Sequence, residues 1–402
     1  MYFDLPSVEE YLEQFCIAEY NYDRASKLET MNVLCEHFGH PEHFCPCFHV
    51  AGSKGKGTIA NGIAAILRSM GYSTGVYSSP HVYHFTERIS TGENAFSEEI
   101  YKNAEKELKE GLISLDPPYP LTWSEIVTIF AMLVFRQAKV DYVVYEVEIG
   151  GRYDVTNVIS PLAIAVGPIE LEHTKILGNT LAEIATEKAG VFKPQVPIIS
   201  APQAPEVRKI FKAQAAKNST AVQYIKDVSD YQILDAEIAI KSVKQIFPDL
   251  DETKTSQIAA GISLPGRYEQ IENYKGIPRL LLDGAHTENS IVVVLDRMKK
   301  DGVYGNLIFA CAADKNVEKM AEAIIKSRLF NRVYLTIPGD FKKSDFSRTK
   351  KAFEKFSLPI YSSSDYRSVI QKAFEDSCRT KTPLVALGSF YLLPEIKKQL
   401  HF

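Results

Sequence analysis

"HVAGSKGKGTIANG", residues 49–62, joins an apolar entry to a helical exit through a glycine-rich middle that carries Lys54 and Lys56. The preceding "FHVAG" has the composition of a short buried strand. Beyond the glycines, Ile59, Ile63, Ile66, Leu67 and Met70 recur at helical spacing until Gly71 closes the run. A strand, a glycine turn bearing Lys56 and a helix opened by Thr58 make a P-loop arrangement. Glycines let backbone N–H groups turn inward toward phosphate oxygens, the helix N-terminus adds partial positive charge, and Lys56 adds a full one. The spacing departs from the strict Walker pattern, because position 50 is Val and Gly57 separates Lys56 from Thr58. Taken alone, the loop could also be a flexible surface turn.

Working outward, short apolar runs alternate with helical patterns, the signature of a parallel α/β architecture. "TGVYSS", "VDYVVYEVEIGG" and "LAIAVGPIEL" read as strands; "TWSEIVTIFAMLVFRQA" and "LAEIATEKAGVFK" read as helices. After "PGRYEQIENYKGIPR" the pattern restarts with "RLLLDGAH", "NLIFACAAD", "RVYLTIP" and "PLVALGSF" as strands. The 402-residue length suits two domains. The expected fold is therefore a P-loop-type, mostly parallel α/β domain over 1–272, then a smaller Rossmann-like α/β domain over 278–402.

A formal net charge of −4 argues against a general nucleic-acid binder. No uninterrupted apolar run has membrane-spanning length, and the acidic start "MYFDLPSVEEYLEQF" lacks a signal-peptide layout. A cytoplasmic protein is expected, with Cys16, Cys35, Cys45, Cys47, Cys311 and Cys378 as scattered reduced thiols. In "HFCPCFH", His43, Cys45, Cys47 and His49 fall at every second position. Ligands strung along one straight strand cannot wrap a tetrahedral ion, so a buried strand feeding the glycine loop is the better reading.

Glu146 ends the apolar run "YVVY", at the carboxyl edge where open α/β sheets place ligand-binding residues, and Glu148 should share its strand face. A carboxylate there suits Mg²⁺, which prefers oxygen donors and bridges phosphates.

With these residues in place the chain resembles the folylpolyglutamate synthase/dihydrofolate synthase family, a branch of the Mur-ligase-like ATP-dependent amide ligases. "HVAGSKGKGT" resembles HVAGTNGKGS, "YSSPHVYHFTERISTGE" resembles TSPHL…ERI, and "EVEIGGRYDVTNVI" resembles EVGLGGRLDATNVI. "IELEHTKILGNTLAEIATEKAGVFK" is similar to IGLDHTEVLGDTLEKIAFEKAGIFK. "LPGRYE", "LLDGAH", "CAADKN" and "LGSFYLL" resemble PGRFE, LDGAHN, ALADKD and CGSLYL in the same order.

The resemblance implies a ligase that joins L-glutamate to a folate or dihydropteroate carboxylate with ATP, through an acyl phosphate. Gly52, Ser53, Lys54, Gly55, Lys56, Gly57 and Thr58 would hold the triphosphate. Ser79, Glu146, His173 and Lys188 match positions that bind two Mg²⁺, with Lys188 matching a lysine carbamylated in the family. Lys56, His173 and Lys188 would serve the chemistry. Asp235, Arg267, Asp283 and His286 match nucleotide-contacting positions, and Thr122, Trp123, Ser124, Glu125 and Arg152 match substrate positions. A monomer acting on ATP, L-glutamate and a reduced folate or dihydropteroate, without nucleic-acid or membrane partners, is implied.

Departures are also legible. Lys54 replaces the loop asparagine, Glu148 a glycine, Asp235 an asparagine, and Thr287 the asparagine of DGAHN. In "GPIELEH", Gly167, Pro168 and Glu170 depart from the family's sequence, and Glu172 is one methylene longer than the usual aspartate. They keep two alternatives open: a related amide ligase for another acid, or a weakened paralogue that binds ATP as a regulatory protein.

Overall fold

A computed structural model describes residues 1–15, 24–115, 121–226, 228 and 230–401. Two compact units result, Met1–Ile262 and Ser263–Phe402. The first holds β1 (Cys47–Ala51), β2 (Thr74–Tyr77), β3 (Ile89–Ser90), β4 (Tyr142–Glu146), β5 (Ala163–Val166), β6 (Ile198–Ser200) and β7 (Val222–Tyr224). They form one sheet in the order β3-β2-β4-β1-β5-β6-β7, parallel except for β3 against β2. A parallel sheet needs cover on both faces, so its central strand should be apolar without alternation. β1 obeys: every residue of "CFHVA" is buried.

Helix Trp123–Ala138 packs on one face with Ile129, Phe130 and Leu133 in its core, and helix Lys56–Ser69 covers the other with Ile59, Ile63 and Ile66. The former is buried from Glu125 to Phe135. That all-round burial explains its lack of a polar stripe.

The second unit contains β8 (Glu269–Tyr274), β9 (Ile277–Leu282), β10 (Gly305–Phe309), β11 (Phe330–Leu335), β12 (Ile360–Ser362) and β13 (Leu384–Leu387). Their order is β12-β11-β10-β13-β9-β8, parallel except for β8 against β9. This sheet explains why the division falls at Ile262/Ser263 rather than at 272–278. "PGRYEQIENYKGIPR" resembles a border because its polar residues interrupt the apolar pattern. Its segment 269–274 is nonetheless an edge strand paired with β9.

Cys35, Cys45, Cys47, Cys311 and Cys378 are free thiols; Cys16 lies outside the described residues. No helix among the described residues is long and apolar enough to cross a membrane.

Candidate functional site

The register of the first sheet decides what meets at its carboxyl edge. Val50 of β1 lies beside Glu146 of β4, and Ala51 lies beside Val166 of β5. The glycine loop therefore leaves β1 between Glu146 on one side and Gly167 on the other. Gly52 has φ +135°, and a Cβ there would stand 2.8 Å from the Gly167 nitrogen. Both the conformation and the backbone approach require glycine. Gly55, with φ +76°, caps helix Lys56–Ser69, and a Cβ would fall onto the buried Asp235 carboxylate.

Not every loop amide faces outward. Ser53 and Lys54 both donate their N–H to the Pro168 carbonyl, at 2.9 and 3.4 Å. The Ser53 hydroxyl donates to the Glu170 carbonyl and accepts the Glu170 N–H. These contacts fasten the front of the loop to the turn after β5. The donors left for a phosphate begin at Gly55 and continue through Lys56, Gly57 and Thr58, where the first turn of a helix has no intrahelical acceptor.

Lys188, the last residue of helix Leu181–Lys188, reaches this loop. Its side chain is 1% exposed; Nζ donates to the Gly52 carbonyl at 2.9 Å and pairs with Glu172 Oε1 at 2.7 Å. Burial, with Lys56 nearby, pushes the ammonium down to about 8 against the pull of Glu172. Burial opposes the Glu172 charge, but Lys188, Lys56 and His173 outweigh it and hold that carboxyl below its usual range. The Gly150–Gly151–Arg152 turn makes room for the helix end. A Cβ on Gly151 would stand 2.8 Å from the Glu187 carbonyl, to which Arg152 donates its N–H at 2.8 Å.

Glu146 is buried and accepts the Ser79 N–H at 3.3 Å, so two of the expected metal positions are adjacent. His173 is exposed, with φ +44°, at the start of helix Thr174–Leu177. Burial raises the Glu148 carboxyl while Arg88, Lys27 and Lys56 resist. Lys56 thus acts on Glu148, Glu172 and Lys188 together.

The expected pterin segment is partly structural. Thr122 caps helix Trp123–Ala138, Glu125 Oε2 accepts the Thr122 N–H at 2.6 Å, and Ser124 Oγ lies 3.3 Å from Thr122 Oγ1. Trp123 presents its ring to the Arg88 guanidinium at 4.5 Å, a planar cation–π surface. In the second unit, Asp283 is buried and accepts the Tyr268 and Ala285 N–H groups, each at 2.7 Å. Arg267 lies over the Phe390 ring at 4.2 Å, and the His286 ring meets the same ring edge-on at 5.8 Å. Thr287, in place of asparagine, caps helix Glu288–Lys300.

Two contributors escaped the sequence reading. Asp154 Oδ2 accepts the Glu148 and Ile149 N–H groups, and Oδ1 accepts the N–H and hydroxyl of Thr156. Thr156 in turn meets His49 Nε2 at 2.8 Å. This chain fixes the backbone after Glu146, and the Asp-x-Thr spacing of "YDVTNV" was its signal. Glu87 gathers the Val82, Tyr83 and His84 N–H groups, shaping the turn after Ser79.

No family model matches the chain. A dihydrofolate synthase/folylpolyglutamate synthase of Escherichia coli is 31% identical over 300 residues, covering 68% of each chain. The enzyme of the same name from Bacillus subtilis is 29% identical over 422 residues, covering 93% of this chain and 94% of its own. A folylpolyglutamate synthase of Mycobacterium tuberculosis, solved with ADP, superposes with a TM-score of 0.86 at 23% identity, covering 99% and 98% of the two chains.

Proposed function

The chain belongs to the dihydrofolate synthase/folylpolyglutamate synthase family, and we propose for its first unit the following route to ATP-dependent ligation of L-glutamate to a folate or dihydropteroate carboxyl group. The substrate carboxylate attacks the γ-phosphorus of ATP, ADP leaves, and an acyl phosphate forms. The glutamate amine then attacks the acyl carbon, phosphate departs with one former carboxylate oxygen, and an amide remains.

The observation that carries this reading is the buried contact of Lys188 with Gly52 and Glu172. It ties a lysine and a carboxylate to the very loop that would hold the triphosphate. Lys56 and the helix N–H groups from Gly55 to Thr58 meet charge that builds on the transferring phosphoryl group. The ring of Trp123 offers a flat face for a pterin, and Arg152 lies on the turn packed against the end of the Lys188 helix. Asp235 borders the loop at Gly55; Arg267, Asp283 and His286 are the nucleotide contacts we assign to the second unit. A monomer in the cytoplasm is the proposed setting.

The oxygen donors fit Mg²⁺. Glu146 is a buried carboxylate beside Ser79, and His173 follows Glu172 on the neighbouring turn. Two such ions, held by these residues, would neutralise charge developing on the transferring phosphoryl group. A carbamate on Lys188 would have to displace an existing contact, since its Nζ already pairs with Glu172. Carbamylation also needs the neutral amine, whereas Glu172 holds the ammonium. The two states compete, so turnover should rise with bicarbonate on the alkaline side of about 8, where the amine loses its proton. The same bicarbonate should add the mass of one CO₂ to the intact chain. A flat bicarbonate response with no mass gain would show that the ion pair, not a carbamate, is the working form.

ADP release tests the function itself. Release should require L-glutamate together with dihydropteroate or tetrahydrofolate. If no pterin stimulates it while another acid does, the substrate assignment fails.

A further inference from the structure

Away from the glycine loop, the connection between helix Arg24–His37 and β1 folds three metal-binding side chains onto one another. His40 takes φ +55° and caps the short turn Pro41–His43. His40 Nδ1 lies 2.9 Å from Glu42 Oε1, and His43 Nδ1 lies 3.3 Å from the same oxygen. All three donor atoms fall within 4.8 Å of one another. The two imidazoles are stacked, with centroids 5.8 Å apart and planes 30° apart, so both present Nδ1 to the carboxylate.

Zinc ligands lie about 2.0–2.2 Å from the ion, which sets tetrahedral donors roughly 3.3 Å apart. The His43–Glu42 separation already matches that spacing, and the His40–Glu42 separation is a few tenths of an ångström shorter. A small outward shift of His40 would open room for an ion.

A second observation points the same way. The Glu42 side chain is only 4% exposed, with Oε1 turned to both imidazoles and Oε2 buried. The Cys35 thiol, raised by burial and by the Glu42 charge, hydrogen-bonds to this carboxylate. A carboxylate this deeply buried is costly unless a cation compensates it. Both histidines remain more than half exposed, so an ion can reach the cluster from solvent.

We infer that His40, Glu42 and His43 form a binding site for a divalent transition ion, for which Zn²⁺ is the natural occupant, with water completing the tetrahedron. Two imidazoles and one carboxylate favour zinc over magnesium. The site shares no residue with Ser79, Glu146 and His173. It differs also from the alternating set His43, Cys45, Cys47 and His49, because β1 begins only at Cys47 and His49 is buried against Thr156. Bound zinc would clamp the segment that leads into β1 and, at its far end, Gly52.

The test titrates the full chain with Zn²⁺ against a chromophoric chelator, in saturating Mg²⁺. The wild-type chain should take up one equivalent, and His40→Gln and His43→Gln should each weaken uptake at least tenfold. Both substitutions are at exposed positions and should leave pterin-dependent ADP release unchanged. Cys45→Ser should bind zinc as the wild type does, and X-ray absorption should show nitrogen and oxygen ligands without sulfur. Absence of uptake by the wild type, undiminished uptake by the His40→Gln/His43→Gln double variant, or a sulfur ligand would each overturn the assignment.

Discussion

His49 sits between the two chemistries of this chain, one strand turn from Gly52 yet wholly buried. Burial drives its imidazole down to about 3, so the folded protein keeps it neutral. The unfolded chain protonates it below about 6.5. Stability from this residue is therefore complete above that pH and is lost as pH falls toward 3, by about 1.4 kcal/mol per pH unit. Urea unfolding of His49→Asn at pH 7, 6 and 5 should show an acid limb shallower than wild type by up to that slope; parallel limbs would assign the proton elsewhere. Lys188 makes a second prediction. Lys188→Ala should leave ATP affinity within severalfold but lower turnover roughly a hundredfold or more, as for loss of a group acting on transition-state charge. Measured nucleotide affinity beside kcat separates this from a loop that no longer binds. Lys56, Glu146 and Lys188 each occupy a motif in the sequence, and the fold sets Lys188 against the glycine loop. The Glu172–Lys188 contact was not legible there, since only the fold brings the turn after β5 to the end of helix Leu181–Lys188.

Among elements, those with strong periodicity were legible: β1, β2, β4, β5 and helices Lys56–Ser69 and Trp123–Ala138. Strands such as β3 and β7 are two and three residues long and carry too few positions for a pattern. β8 was hidden by alternating exposure at an edge, where polar residues are tolerated on the open side. "TWSE" shows an element claiming residues that resemblance gives to a substrate. Thr122 and Glu125 form a reciprocal cap, and burial raises the Glu125 carboxyl. Thr122→Ala should cost about 1 kcal/mol of unfolding free energy, measured by denaturant titration. If stability is unchanged while KM for the pterin rises, the residue serves substrate rather than helix.

At the scale of the whole molecule, two mostly parallel sheets place their loops by one rule: ligands gather at carboxyl edges. The first unit puts Glu146, the glycine loop and Gly167 there on three adjacent strands; the second puts Asp283 just past β9. On the proposed route this edge activates a carboxyl group by phosphorylating it. The most direct measurement starts from dihydropteroate labelled with ¹⁸O in its carboxylate, incubated with ATP, Mg²⁺ and L-glutamate. One labelled oxygen should appear in each phosphate released, in step with amide formed. Amide formed with unlabelled phosphate would rule out an acyl phosphate and with it this route to the amide.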